Sequence, residues 1–278
     1  MRDFSRSPDH LAINQATTKG WSLEQAIEGY ARHGVRGIAV WRDKLAELGV
    51  ARAAGMLKVH DMTVTGLCRA GLMPGAENHG WRAALDDNRR AIDEAAAIGA
   101  RCVIMIAGGL PPGSTDIVGA RSQVQDGLAE ILPYARSANV KLALEPLHPM
   151  FAADRACVNT LTHANDLCDA LGPGIGVAVD VYHVWWDPNL EREIARAGQA
   201  RRLLAFHVCD WLVPTTDLML DRGMMGDGVI DIRRIRGWME AAGYEGMCEV
   251  EIFSARNWWQ RPPDEVVRTC IERHRTVV

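Results

Sequence analysis

The chain has 278 residues, of which 48% are hydrophobic and 24% are charged, and this composition is typical of a globular protein. Its net charge of −4 and the lack of a basic block argue against a phosphate-rich partner such as a nucleic acid. No hydrophobic run approaches the ~18 residues of a membrane span, and the N-terminus lacks a signal-peptide core. The seven cysteines include no C-x-x-C pair, which favours reduced core thiols. We therefore expect a cytoplasmic protein without membrane contact.

Short runs rich in β-forming residues alternate with longer helical patterns along the whole chain. The predicted strands are 11–17, 35–41, 62–68, 102–109, 142–150, 175–183, 203–210 and 246–253. The first predicted helix begins with a capping box at Ser22 and Gln25. The other predicted helices cover 42–57, 81–100, 123–140, 162–171, 189–198, 230–243 and 262–274. Eight parallel strand–helix units predict an α/β protein with a single (β/α)8 TIM barrel domain over residues 1–278. The alternative is a doubly wound open sheet, but no G-x-G-x-x-G sequence follows an early strand.

Polar residues stand at the ends of four consecutive predicted strands. Glu145, Asp180 and His207 end the fifth, sixth and seventh strands, and Glu251 lies near the end of the eighth. In a (β/α)8 barrel the active site lies at these C-terminal strand ends. Because side chains alternate along a strand, Glu249 faces the same way as Glu251 but one layer deeper. We interpret Glu249 as a salt-bridge partner and as the alternative to Glu251 as the site residue from the eighth strand.

Three carboxylates and one imidazole at one barrel mouth indicate a cation site. Like charges that are close together raise each other's pKa values unless a cation neutralises them. Oxygen-rich ligation with one histidine favours Mn²⁺ or Mg²⁺, while Co²⁺ and Zn²⁺ remain possible. The sequence therefore predicts a divalent metal ion as the cofactor.

Five motifs in chain order carry a resemblance to a known family. They are LALEPLHP, VAVDVYHVWW, FHVCDW, GDGVIDIRRI and GYEGMCEVEIF. With these motifs the chain resembles the xylose-isomerase-like TIM barrel superfamily, in particular its sugar phosphate isomerase/epimerase group. The resemblance implies that Glu145, Asp180, His207 and Glu251 bind the metal. It also implies that Glu145 and Glu251 act as the catalytic acid and base.

Several further residues are candidates for substrate binding. The resemblance implies this role for His183, just past the sixth strand, and for Arg222, in the loop before GDG. His148, in the turn after the fifth strand, and Trp185, one of several tryptophans at predicted loop ends, are additional candidates. Arg69, after the third strand, would suit a phosphate or a carboxylate group.

The predicted chemistry is proton transfer on a carbohydrate. A metal that polarises a carbonyl and a neighbouring hydroxyl makes the adjacent carbon more acidic. One carboxylate then takes the proton, a second returns it, and an enediolate lies between the two steps. The prediction is therefore an isomerase or epimerase for a sugar, a sugar phosphate or a small hydroxy-keto compound. A small carbohydrate-like molecule is the expected partner, and a homo-oligomer is possible.

Other functions remain open at this point. Proton abstraction beside a 3-oxo group can expel a substituent, so a lyase for 3-oxo-glycosides, including C-glycosides, is the main alternative. An apurinic endonuclease is a remote one, because its three-zinc cluster needs histidines at early strand ends, whereas these ends read VWRDK and GLCRAG. The last alternative is a metal-binding protein without enzymatic activity. The sequence leaves the substrate, the metal and the oligomeric state undetermined.

Overall fold

Eight parallel strands close into a barrel in the computed structural model, which describes residues 2–4, 7–74 and 80–278. The strands are β1 (Leu11–Asn14), β2 (Gly37–Trp41), β3 (Thr63–Gly71), β4 (Cys102–Ile106), β5 (Lys141–Glu145), β6 (Ile175–Asp180), β7 (Leu203–Val208), β8 (Asp210–Trp211), β9 (Arg222–Gly223) and β10 (Cys248–Val250). The barrel order is β1 to β7 and then β10, which pairs with both β7 and β1. Strands β8 and β9 form a separate antiparallel ribbon. The predicted (β/α)8 fold is confirmed.

Helices follow the barrel strands and cover the outside of the barrel. They are α1 (Leu23–Arg32), α2 (Arg42–Leu48), α3 (Val50–Val59), α4 (Gly80–Ala97), α5 (Ile117–Ser137), α6 (Leu161–Leu171), α7 (Val181–Val184), α8 (Leu190–Gln199), α9 (Ile232–Ala241) and α10 (Pro263–Thr276). Short 3-10 helices span Gln15–Thr18, Pro149–Phe151 and Trp258–Gln260. Across the described ranges, no helix has both the length and the apolar character needed to cross a membrane.

Several element boundaries differ from the predicted ones for local reasons. Strand β1 ends at Asn14, because the Asn14 side chain accepts a hydrogen bond from the Ala16 N–H and starts a 3-10 turn. Strand β6, in contrast, ends at Asp180 as predicted, and the Asp180 carboxylate caps α7 by accepting from the Tyr182 N–H. The helix predicted over 42–57 is broken at Gly49, which adopts a φ of 88° that favours glycine.

The barrel strands are almost completely buried, because helices cover one face and side chains fill the other. Every residue of β1, β4 and β6 is buried. In β5, β6 and β7, a buried alanine lies two residues before the polar strand end: Ala143, Ala178 and Ala205. All seven cysteines are buried and free, in agreement with the predicted core thiols. The small side chains leave room for polar groups above them.

Candidate active site

Four polar side chains converge at the C-terminal end of the barrel. One ligand atom each from Glu145, Asp180, His207 and Glu251 lies within 4.8 Å of the other three. Glu145 and Asp180 are the last residues of β5 and β6, and the Glu251 N–H continues the ladder by donating to the Val208 carbonyl at 3.1 Å. All four side chains are buried. We call these four residues the acidic cluster, and the structure brings them together as the strand ends predicted.

The donor atoms of the acidic cluster fit a metal ion. Glu145 Oε1 and His207 Nδ1 are 2.9 Å apart, a separation that suits either an ion pair or two ligands of one cation. Both atoms are fully buried, and apart from each other neither has a polar partner of hydrogen-bond geometry in the described part of the chain. Buried polar atoms are rarely left unsatisfied, and a cation satisfies a carboxylate oxygen and an imidazole nitrogen together. A buried Glu/Asp/His cluster of this kind can hold a divalent metal ion.

Arg222 supplies one positive charge to this site. Its Nη1 donates to Asp180 Oδ2 at 3.0 Å and to Glu251 Oε2 at 3.1 Å, and its Nη2 is 3.2 Å from His183 Nε2. One guanidinium offsets only part of the negative charge that the three carboxylates carry when they are ionised. A bound cation would offset the rest. The position of Arg222 is therefore compatible with a metal ion at the acidic cluster.

Burial and charge move the pKa values of the carboxylates in opposite directions. Burial raises the pKa of Glu145, and it raises the pKa of Glu251 to about 8. Burial also opposes ionisation of Asp180, but the Arg222 guanidinium keeps the pKa of Asp180 below its usual value. Enzymes that use acid–base catalysis often contain carboxylates in one site that have different pKa values.

A second polar layer lies beneath the acidic cluster. Glu249 is buried there and accepts hydrogen bonds from Thr65 Oγ1 at 2.7 Å and Asn14 Nδ2 at 2.9 Å. Its Oε1 is 3.5 Å from His207 Nε2, which faces away from Glu145. Burial opposes protonation of His207, but the charge of Glu249 raises its pKa well above the usual value. Glu249 thus lies one layer deeper than Glu251, as predicted, and its basic neighbour within 4 Å is His207.

A cavity of about 170 Å³ opens above the acidic cluster. A cavity of about 150 Å³ holds a six-membered ring such as benzene, so this one has room for a small molecule. Its walls are mostly apolar, while its polar side chains are grouped. The lining residues are Trp41, Cys68, Ile104, Ile106, Leu147, Phe151, Met219 and Phe253, with the polar Arg69, Glu145, Arg155, His183, Arg222 and Glu251. His183 and Arg222 are therefore where a substrate-binding role requires them.

His148 and Trp185 do not line this cavity. The His148 ring packs against Trp211 and Trp186, with ring centroids 5.1 and 5.6 Å away, and its backbone N–H faces His183 Nδ1 at 3.2 Å. The Trp185 ring packs against Trp211 at 5.8 Å. Packing against other rings turns both side chains away from the cavity. This differs from their predicted role in direct substrate binding.

The sequence did not identify Asn14 or Trp41 as site residues. Asn14 Nδ2 donates to Glu251 Oε1 at 3.0 Å as well as to Glu249, and Asn14 Oδ1 accepts from Trp41 Nε1 at 2.6 Å. Asn14 is the last residue of β1, so it satisfies the same criterion that singled out the later strand ends. Phe253, in contrast, belongs to the loop after β10, where the sequence has no signal for its direction.

The loop between β7 and α9 is fixed by one buried carboxylate. Asp210 accepts hydrogen bonds from the N–H groups of Trp211, Gly226 and Ile230, each at 2.9 Å. The β8–β9 ribbon follows from this arrangement and places Arg222 against the acidic cluster. The chain that connects Trp211 to Arg222 forms the tip of the ribbon, where the Leu218 carbonyl accepts from Tyr182 Oη at 2.9 Å and Met219 lines the cavity.

Solved structures with the same fold include both a close relative and distant ones. Protein SMc04130 from Sinorhizobium meliloti 1021 is 55% identical, with 98% of this chain and 99% of that chain covered and a TM-score of 0.96. IolI protein with a bound zinc atom is 20% identical over 95% of each chain, with a TM-score of 0.82. The 3-keto-D-glucoside 4-epimerase YcjR from E. coli is 17% identical, with 96% and 99% covered and a TM-score of 0.76. The last two similarities show a shared fold.

The match to a protein-family model agrees with the structural similarities. Among curated proteins, none matches this sequence significantly. The family model described as the xylose isomerase-like TIM barrel matches residues 27–276, which is most of the chain. This match confirms the resemblance drawn from the strand-end motifs. The chain belongs to the xylose isomerase-like TIM barrel family.

Proposed function

We propose that the protein is a divalent-metal-dependent isomerase or epimerase that moves a proton on a sugar or a small hydroxy-keto compound. The observation that carries this proposal is the acidic cluster, two of whose members also line the cavity. Two structural neighbours support it, since they are named as a 3-keto-D-glucoside 4-epimerase and a D-allulose 3-epimerase from Methylomonas sp.. Both act on carbohydrates according to these names.

The acidic cluster would hold the metal through Glu145, Asp180, His207 and Glu251. Carboxylate oxygens in the majority favour Mn²⁺ or Mg²⁺, although the zinc atom in IolI shows that this fold also accepts zinc. When bound, the cation stabilises the negative charge that a carbonyl oxygen gains as the neighbouring carbon loses a proton. Asp180 would serve as a ligand. It does not itself line the cavity, but Arg222, which donates to Asp180 Oδ2 at 3.0 Å, does.

Glu145 and Glu251 are the proposed proton carriers. Both line the cavity, and they project from barrel strands that are separated by β6 and β7. A substrate between them presents one carbon to each carboxylate, so one residue takes a proton and the other returns it. His183 and Arg222, which also line the cavity, would hold substrate oxygens by hydrogen bonds. The apolar walls exclude water from the reacting carbon.

The proposal is tested by metal analysis of the purified protein and by deuterium exchange. We expect the Mn²⁺-loaded protein to exchange the acidic C–H of a ketose or a 3-oxo sugar in deuterated water, as read by NMR. Glu145→Gln should abolish this exchange while the fold is kept. Glu272→Gln, at an exposed position of α10, is the matched control and should exchange normally. Full exchange by the Glu145 variant would refute its role.

A lyase acting on 3-oxo-glycosides is the second candidate. It is favoured by the aromatic side chains Trp41, Phe151 and Phe253 in the cavity wall, which suit an aryl leaving group. The same carboxylates would remove the proton beside the 3-oxo group, and the C–O or C–C bond to the aglycone would then break. Incubation of the Mn²⁺-loaded protein with aryl 3-oxo-glycosides distinguishes the two. Aglycone release that keeps pace with deuterium exchange assigns the lyase, and exchange without release assigns the epimerase.

A further inference from the structure

Two arginines line the cavity and come from separate loops. Arg69 is the exposed residue near the C-terminal end of β3, and Arg155 lies four residues after the 3-10 helix Pro149–Phe151. The Arg155 N–H donates to the Phe151 carbonyl at 3.0 Å, which fixes the backbone of this turn. Its guanidinium lies 5.8 Å from the centre of the Phe151 ring. Both arginines line the same cavity as Glu145.

Neither guanidinium has an ion pair within residues 2–4, 7–74 and 80–278. Three carboxylates line an adjoining groove together with both arginines. Asp86 and Asp87 pair with Arg89 and Arg42, and among the described residues Asp154 has no ion pair with Arg69 or Arg155 within 4 Å. Burial and the positive charge of Arg155 both lower the pKa of Arg69. The two like charges thus repel each other where both line the cavity, and a bound anion would relieve that repulsion.

The charges on the cavity floor do not require these two arginines. With a divalent cation in the acidic cluster, the cation and Arg222 together balance the three carboxylates of the cluster. Glu249, in the layer below, faces His207. Arg69 and Arg155 then carry charge that no group of the cluster neutralises. The cavity therefore combines the acidic residues that would bind a metal with a basic pair on β3 and on the turn after the Pro149–Phe151 helix, and its other walls are mostly apolar.

We propose that Arg69 and Arg155 form an anion-binding subsite and that the substrate carries a phosphate or carboxylate group in addition to its carbonyl. The substrate class rests on the proposed function, whereas the subsite itself does not. Guanidinium groups suit both oxyanions, because their planar N–H donors bind two oxygens at once. An anion fixed at this end orients the sugar so that its carbonyl end lies over the acidic cluster.

The subsite is tested first without metal or turnover. EDTA-treated protein is titrated with inorganic phosphate and, separately, with acetate by calorimetry at fixed ionic strength. We expect the wild type to bind at least one of these anions, and the double variant Arg69→Gln/Arg155→Gln to bind it at least tenfold more weakly. Arg268→Gln, at an exposed position of α10, is the matched control and should bind like the wild type. Equal binding by the double variant, or no binding by the wild type, overturns the subsite.

A second measurement identifies the anion. Deuterium exchange is compared for D-fructose, D-fructose 6-phosphate and 5-keto-D-gluconate with the Mn²⁺-loaded protein. We expect one anionic compound to exchange at least tenfold faster than fructose, and the double variant to lose this advantage. Equal exchange of neutral and anionic sugars overturns the substrate class but leaves the proposed function intact. If none of the three exchanges, the proposed function fails for these sugars, and the phosphate and acetate titrations alone decide the subsite.

Discussion

Glu249 Oε1 lies 3.5 Å from His207 Nε2, while His207 Nδ1 lies 2.9 Å from Glu145 Oε1. The imidazole of His207 is thus held between a carboxylate in the lower layer and the acidic cluster above it. A carboxylate behind a ligating histidine fixes the tautomer and the ring orientation, and it makes the other ring nitrogen a better ligand. Glu249 is itself fixed by Thr65 and Asn14.

The first prediction concerns this arrangement. We expect Glu249→Gln to weaken Mn²⁺ binding by roughly 10- to 100-fold, because the amide no longer orients His207 as an anion does. Calorimetric titration of the EDTA-treated protein with Mn²⁺ measures the change. Glu272→Gln on α10 serves as the control and should leave the affinity unchanged. Equal Mn²⁺ affinities for all three proteins would show that Glu249 does not support the metal site.

The second prediction distinguishes the contribution of Arg222 to stability from that of the metal ion. Arg222→Met leaves the buried carboxylates of Asp180 and Glu251 without their guanidinium partner. We expect it to destabilise the metal-free protein by about 3 kcal/mol, because loss of one partner leaves uncompensated buried charge. Saturating Mn²⁺ should restore part of this loss. Urea unfolding with EDTA and with Mn²⁺ measures both effects, and Arg268→Met controls for the loss of a charge. A loss that Mn²⁺ does not reduce would contradict a cation in the acidic cluster.

The third prediction uses two glycines with positive φ. Gly71, at φ 101°, has no space for a Cβ, which would overlap the Ile106 carbonyl, whereas Gly34, at φ 77°, has no described atom within 4 Å of that position. Gly34→Ala should cost about 1 kcal/mol through backbone strain alone. Gly71→Ala should cost about 3 kcal/mol or more, because strain and overlap add. Chemical denaturation measures both, and equal losses would contradict the close approach of β3 and β4.

The fourth prediction concerns acid stability at the opposite end of the barrel from the acidic cluster. His274 on α10 is fully buried and stacks on Phe4 at 4.5 Å, and burial lowers its pKa to about 3. Between this value and about 6.5, the unfolded chain binds a proton that the folded chain does not. His274 therefore reduces stability as the pH falls through this range.

His274→Phe removes this titration and retains a ring at the same place. The free energy of unfolding of the wild type should fall more steeply between pH 6 and pH 4 than that of the variant. The difference in slope should approach about 1.4 kcal/mol per pH unit, which corresponds to one proton. Urea denaturation at several pH values measures both slopes. Parallel profiles would mean that His274 is not held neutral in the folded protein.

The sequence predicts the acidic cluster well because its positions depend on the strands. A carboxylate at the end of a hydrophobic run is costly unless it is paired, hydrogen-bonded or coordinated, so such a residue marks a polar site, and strand alternation fixes its direction. Asn14 carries the same signal at β1. The predicted strand 11–17 hid this signal, because the Asn14 side chain ends β1 by capping the next turn. A polar residue that ends a strand by hydrogen bonding to its own backbone looks, in sequence, like a strand interior.

Residues beyond the strand ends were harder to assign. His148 and Trp185 follow β5 and β6 closely, but the chain turns after each strand, and their rings pack onto Trp211 instead of facing the cavity. The alternation of side chains along a strand does not predict where a side chain points in such turns. Arg155 and Phe151 reach the cavity from a 3-10 helix and the turn that follows it, and tertiary packing alone determines where they lie.

The three hydrogen bonds that Asp210 accepts divide the β7–α9 loop into two parts with different freedoms. The base of the loop, with Arg222, is anchored to the barrel, whereas the tip at 212–221 contributes Met219 to the cavity wall. Substitution or lengthening of the tip reshapes the wall without moving the arginine. The shape of the cavity wall can therefore be altered at the tip while the acidic cluster and Arg222 keep their positions.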